Sequence, residues 1–211
     1  MTGATSMLDL LHISLADQCL YGFAAGALRL RLPVSTALNG PGERQGSGCT
    51  PRGRHQVRAK IGAGLPAGAV LVGRRWTGEV WSAELAAQFP QRDWILSRIL
   101  WLSGCEPGRN RLGSVDTFRR YIYLHGTPDS EPMGEPRSHG CIRMRNAEQI
   151  ELFDLVKPGT VVVIRAEDSD VANKFPCSCV NWRLGQQAVA AIRMAVPEIR
   201  GDEQDDTACH L

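Results

Sequence analysis

The sequence predicts a mainly β, β-sandwich-like domain over residues 10–165 with a few short helices, followed by a small α-containing C-terminal extension over residues 166–211. Three observations carry that prediction. Short apolar runs dominate the first 165 residues, several of them alternating with the period of two that a half-buried strand requires. The 22 Gly and 12 Pro punctuate those runs as turns do. Near residue 165 the strand texture stops and the charge inverts: residues 1–165 hold 20 Lys and Arg against 14 Asp and Glu, and residues 166–211 hold 4 against 8.

Residues 11–15 and 19–23 flank Ala16-Asp17-Gln18 as the arms of a hairpin, and Leu28-Arg29-Leu30-Arg31-Leu32 alternates as a strand wet on one face. Residues 39–53 are too rich in Gly and Pro for a regular element and form a long loop of functional length. Strands follow over residues 55–60 and 70–73, then a short helix over 83–89. Residues 95–102 and 118–124 are apolar and aromatic enough for buried strands, the second ending at His125. Asn146, with Gln149 three positions on, predicts a helix N-cap, and Ile150, Leu152, Phe153 and Val156 supply that helix's apolar face. Pro158-Gly159 ends it, and residues 160–164 make a last strand.

Composition excludes several classes. Hydrophobic content of 43% and charged content of 22% are those of a globular chain. No apolar run approaches the ~18 residues of a membrane span, so no transmembrane segment is expected. A net charge of +2 argues against nucleic acid as partner. Of the 24 basic residues 21 are Arg, a bias that suits carboxylate recognition and that genome composition also produces. Seven cysteines without a pair of CxxC knuckles give neither a disulfide framework nor a zinc ribbon. His12 and His55 fall on strands as structural or surface residues, and Cys19 and Cys105 fit as core fillers.

The chemistry concentrates in residues 121–145, YIYLHGTPDSEPMGEPRSHGCIRMR. A thiol attacks well at neutral pH only when a cation or helix N-terminus lowers its pKa from ~8.5. Cys141 is expected to have both, with a helix following it. His125, fixed at a strand end, can meet Cys141 across the intervening loop as a Cys/His pair. Gly140 keeps Cβ out of the way of an oxyanion, which the N–H groups of Gly140 and Cys141 can receive. Arg143 can bind a carboxylate or carbonyl by a charge-assisted fork. The rate should rise as the Cys/His unit loses its proton.

At these residues the chain resembles the L,D-transpeptidase (YkuD-type) family: His125-Gly126, a short loop, then Ser138-His139-Gly140-Cys141-Ile142-Arg143-Met144. Thr50-Pro51-Arg52-Gly53 is similar to the family's Thr-Pro-x-Gly loop, and Pro33-Val34-Ser35-Thr36 to the strand before it. The resemblance implies a peptidoglycan enzyme of the cell envelope that acts on stem peptides, contributes to wall biogenesis and cell shape, and is sensitive to carbapenems. It assigns Cys141 as nucleophile, His125 as base and the Gly126 carbonyl as the acceptor that orients the imidazole. His139 and Gly140 shape the oxyanion hole, and Ser138, Arg143 and Tyr123 meet substrate. No metal and no cofactor is needed, since a thiolate and positioned amides suffice for acyl transfer.

Residues 1–11 show no basic n-region, apolar h-region or cleavage site, which leaves a cytoplasmic or alternatively exported protein open. Residues 63–116, with Trp76, Trp81, Trp94 and Trp101, exceed what a minimal domain needs and could cap the cleft. In the tail, Trp182, Leu184, Ala188 and Ile192 form a helical stripe whose setting resembles the start of a GNAT-type acetyltransferase, implying a truncated remnant; a packing helix is the alternative. Two other functions stay open: a carboxypeptidase or other cysteine peptidase using water, and a non-catalytic peptidoglycan- or metal-binding module that uses His125, His139 and Cys141 as ligands.

Overall fold

The computed structural model describes residues 6–167. The tail readings above, and Cys177, Cys179 and Cys209, lie outside the described residues. Among the described residues ten strands and two α-helices occur in the order β1 (Leu10–Ser14), β2 (Cys19–Ala24), β3 (Ala27–Pro33), β4 (Gly53–Ile61), β5 (Ala69–Val72), β6 (Arg75–Val80), α1 (Ala83–Gln88), β7 (Leu96–Gly104), β8 (Tyr123–Thr127), β9 (Ile142–Arg145), α2 (Asn146–Leu155) and β10 (Val161–Arg165). The fold is mainly β, as the sequence predicts. Its strands join in one curled, branched sheet in the order β3-β2-β1-β10-β4-β7-β5-β6, with β8 leaving the path to pair with β7 and carry β9. Most neighbours run antiparallel; β1–β10 and β8–β9 are parallel.

The alternating strands place Leu11 and Ile13 of β1, Leu30 and Leu32 of β3, Val57, Leu100, Leu102, Leu124, Ile142 and Met144 in one core. Helix α2 closes it with Leu152 and Phe153, each burial worth about 1.5–3 kcal/mol. Lys60 Nζ caps the far end of that helix, donating to the carbonyls of Phe153 and Val156 at 2.6 Å each.

Four expectations change. β6 was not foreseen, because RWTGEV is almost wholly exposed and lacks apolar alternation. β8 begins only at Tyr123; the aromatic run before it turns, and Tyr121 adopts a left-handed φ of 58°. Asn146 is the first helical residue of α2, not its cap, and Gln149 is buried, donating to the Leu124 carbonyl at 3.1 Å. Residues 63–116 are not a separate cap, since β7 runs through the middle of the sheet. The β5–β6 hairpin and α1 lie between β4 and β7, the hairpin extending the sheet beyond β7. In this stretch Trp94 is buried, Trp81 packs beside it and Trp76 is exposed.

Candidate active site

β8 and β9 set the geometry. Their parallel register pairs Leu124 with Ile142 and His125 with Arg143. Leu124, Ile142 and Met144 enter the main core, whereas Tyr123 and Cys141 pack together on the opposite face. Alternation therefore puts Tyr123, His125, Cys141 and Arg143 on that second face. Cys141 stands one strand across and two residues back from His125, about 8 Å between Cα atoms from ordinary strand spacings.

His125 is 1% exposed, and its Nδ1 lies 2.9 Å from the Gly126 carbonyl. A carbonyl can only accept, so Nδ1 carries the hydrogen and Nε2 the lone pair. Burial lowers the imidazole's pKa, opposed by the bond to Gly126 and the charge of Asp93. Gly126 must lack a side chain, because a Cβ would stand 2.5 Å from Asn146 Oδ1 and 2.9 Å from the Leu96 carbonyl.

The Cys141 sulfur receives the Tyr123 N–H and donates its own hydrogen to the Tyr121 carbonyl, each at 3.4 Å. Burial pushes the thiol up to about 12, against the pull of the Tyr123 N–H, Arg143 and Arg120. Burial thus favours the uncharged form of both the thiol and the imidazole. The sequence reading expected a helix N-terminus at Cys141, but the residues after it form β9, so no helix dipole acts there. The aiming carbonyl belongs to a non-glycine residue in left-handed conformation, a cost of about 1–2 kcal/mol.

The turn before Cys141 is built from within. Ser138, expected to meet substrate, is 1% exposed; its hydroxyl donates to the Cys141 carbonyl and accepts the Gly140 N–H at 3.2 Å. It braces the turn, and the Gly140 N–H, expected to face an oxyanion, is engaged there. Gly140 has a φ of 134°, and a Cβ on it would press on Ile122 Cδ1 at 3.1 Å and the Cys49 carbonyl at 3.2 Å. His139 points outward with its side chain 84% exposed, nearest to Asp93 at 3.9 Å. That separates it from His125 and Cys141 as a shared ligand set, and among the described residues no three His, Cys, Asp or Glu side chains converge on a metal position.

Residues 34–38 and the loop 39–53 hold this turn from the other side. Ser35 exchanges both backbone hydrogen bonds with Arg143, at 2.8 and 2.9 Å, and the Thr36 carbonyl accepts the Ser138 N–H. Arg143 is 7% exposed and pairs with Asp93 at 2.7 Å and Glu131 at 3.5 Å, so its charge is already matched inside the protein. Asp93, Glu131, His139, Thr127 and Arg143 line a cavity of about 150 Å³ on the His125 side. Tyr123 is 5% exposed, and its hydroxyl accepts from Arg74 at 3.0 Å; that guanidinium, from the β5–β6 turn, also covers the rings of Trp101 and Tyr121. The polar end of Tyr123 is therefore committed to the wall of the cleft.

The sequence reading missed Asp93, Arg120 and Tyr121. Tyr121 and Arg120 lie in an aromatic run whose composition is that of a strand, and only the pairing of β7 with β8 brings the segment of Asp93 to the site.

Residues 9–164 match the YkuD family, the L,D-transpeptidase catalytic domain. The chain belongs to that family. Forty-eight of its residues are 44% identical to YqjB of Bacillus subtilis (strain 168), a protein provisionally called an L,D-transpeptidase; the match spans 23% of this chain and about a quarter of YqjB (27%). Among solved structures the chain is similar to an L,D-transpeptidase from Mycobacterium smegmatis (15% identity, TM-score 0.47, 74% of this chain and 58% of that one). It is also similar to the L,D-transpeptidase of Xylanimonas cellulosilytica DSM 15894 (22%, 0.45, 78% and 63%). A third is L,D-transpeptidase 3 from Mycobacterium tuberculosis with a faropenem-derived adduct (16%, 0.44, 74% and 59%). The chain spans less than two thirds of each of these relatives.

Proposed function

We propose that this protein is a peptidoglycan L,D-transpeptidase whose Cys141 sulfur is acylated by a stem tetrapeptide at the bond between its third-position diamino acid and the terminal D-Ala. The observation that carries the proposal is the shared face of β8 and β9, with His125, Tyr123, Cys141 and Arg143 side by side. The unprotonated Nε2 of His125 takes the thiol hydrogen as Sγ attacks the carbonyl carbon. The Cys141 N–H faces the developing oxyanion while Ser138 and Thr50 keep the turn rigid. Collapse breaks the C–N bond, and the imidazolium returns its proton to the departing amine of D-Ala. An acceptor amine then attacks the thioester, gives its proton to His125 and releases the thiol. A protein doing this works in the cell envelope. Among the described residues no helix is long and apolar enough to cross a membrane.

The test is mass spectrometry of the protein after incubation with a carbapenem and, separately, with a diaminopimelate-containing tetrapeptide. The expected results are one covalent adduct on Cys141 and a crosslinked peptide dimer. Tripeptide alone identifies water as acceptor and a carboxypeptidase. A Cys141→Ala variant with undiminished turnover overturns the nucleophile assignment.

A further inference from the structure

Two arginines approach Cys141, and they differ in what surrounds them. Arg143, on β9, is matched by Asp93 and Glu131. Arg120, immediately before Tyr121, is half-buried and gives its hydrogens only to neutral acceptors. Its Nη1 donates to the carbonyls of Gly42 (3.0 Å) and Glu43 (2.7 Å), and its Nη2 to the Cys49 carbonyl (2.6 Å) and Ser47 Oγ (3.4 Å). The one carboxylate of that loop that acts on it, Glu43, is held by Arg52 through two bonds of 2.8 and 3.1 Å. Arg120 thus keeps an uncompensated positive charge.

That charge sits between both supports of the nucleophile. On one side its own backbone continues into Tyr121, whose carbonyl receives the thiol hydrogen. On the other, Arg120 fixes the Cys49 carbonyl, which stands against Gly140, and the next residue, Thr50, donates to the Gly140 carbonyl at 3.0 Å.

We propose that Arg120 is the positioning residue of this site: it locks loop 39–53 against the Gly140–Cys141 turn and supplies the unmatched cation that stabilises the Cys141 thiolate. It touches no substrate and acts through Cys141. The other charged or titratable groups around that sulfur are His125 and Tyr123 from β8, Arg143 from β9, Asp93 from the segment before β7, Cys49 from the loop, and Tyr121 beside Arg120. Of these, Asp93 opposes the thiolate and Arg143 favours it, and the two act on the sulfur in opposite directions as a 2.7 Å pair, with Arg120 the next cation in line. Burial pushes the thiol up, and Arg120 is among the groups that pull it down.

The inference rests on the nucleophile reading above, but its test does not require turnover. The rate of iodoacetamide alkylation at Cys141, mapped by peptide mass, is followed against pH in the full chain. Arg120→Met should raise the midpoint by about one pH unit, a roughly tenfold loss of thiolate at fixed pH, and Arg120→Lys should recover at least half of that shift. A second variant probes the same charge from the surface: Arg52→Met frees the Glu43 carboxylate to face Arg120 and should also raise the midpoint. An unchanged midpoint in Arg120→Met overturns the proposal, as does one in Arg52→Met should the first variant fail to fold. A shifted midpoint in a protein that no carbapenem acylates would leave this inference standing and remove the transpeptidase reading instead.

Discussion

Thr50 Oγ1 donates to the Gly140 carbonyl at 3.0 Å while accepting the Ala37 N–H at 3.0 Å, so one buried hydroxyl ties two chain segments, those of Ala37 and Thr50, to the residue before Cys141. The Thr-Pro-Arg-Gly stretch therefore serves the site through its first residue. Its last, Gly53, opens β4 with a φ of 99°.

Gly140→Ala should break this arrangement. The substitution imposes a Cβ at a φ of 134° and pushes it to 3.1 and 3.2 Å from Ile122 and the Cys49 carbonyl. Backbone strain of this kind costs on the order of 1–3 kcal/mol. The expected outcome is a folded protein with a melting temperature lower by several degrees and a carbapenem acylation rate reduced at least a hundredfold. Acylation within threefold of wild type would show that the turn has no fixed role in holding Cys141.

Acid should destabilise the protein well before its carboxylates titrate. Burial lowers His12 to about 4 and His55 to about 4, and lowers His125 as well. Because these folded-state values lie below the ordinary 6.5, the unfolded chain binds protons that the native one refuses. The contribution of His12 and His55 is present in full above pH ~6.5 and is lost as pH falls toward ~4, and that of His125 acts in the same direction. For His12 and His55 it is on the order of 3 kcal/mol each. Denaturant midpoints measured between pH 7 and 4 should fall continuously across that window. A constant midpoint down to pH 4.5 contradicts the burial of neutral imidazoles.

What the sequence made legible follows from periodicity. β3 alternates, because one face enters the core and the other is wetter, and β1 and β2, the latter buried on both faces, show as the two arms of a hairpin, so all three could be read to within a residue or two. β6 carried no such signal, since its side chains are exposed on both faces. The run from Phe118 looks like strand because it is apolar and aromatic, and in the structure Phe118 serves that composition from a turn by stacking on Trp101 at 3.8 Å. His125, Gly126, Gly140 and Cys141 read as an ordered motif, but the reason expected for Gly140, an N–H free for an oxyanion, does not hold, because the Ser138 hydroxyl accepts that N–H. The electrostatics were not legible. Whether an arginine is matched depends on carboxylates from other strands, and neither the pairing of Arg143 with Asp93 nor the isolation of Arg120 has a local sequence sign.

Asp93→Asn separates the two charges nearest the reacting pair. Asp93 raises the pKa of His125 and disfavours the Cys141 thiolate, while its Oδ1 holds Arg143 at 2.7 Å. Removing its charge should therefore move both titrations down. The acid limb of carbapenem acylation, set by the need for a neutral His125, shifts to lower pH, and alkylation of Cys141 at pH 8 becomes several-fold faster. Arg143, nearly buried and left with Glu131 at 3.5 Å, loses its best partner, which should cost about 1–3 kcal/mol of stability. Faster alkylation in a less stable protein is a combination that simple loosening does not predict for the acid limb, because loosening would hydrate His125 and move that limb up toward 6.5. An upward shift would show that Asp93 acts on the site by packing alone.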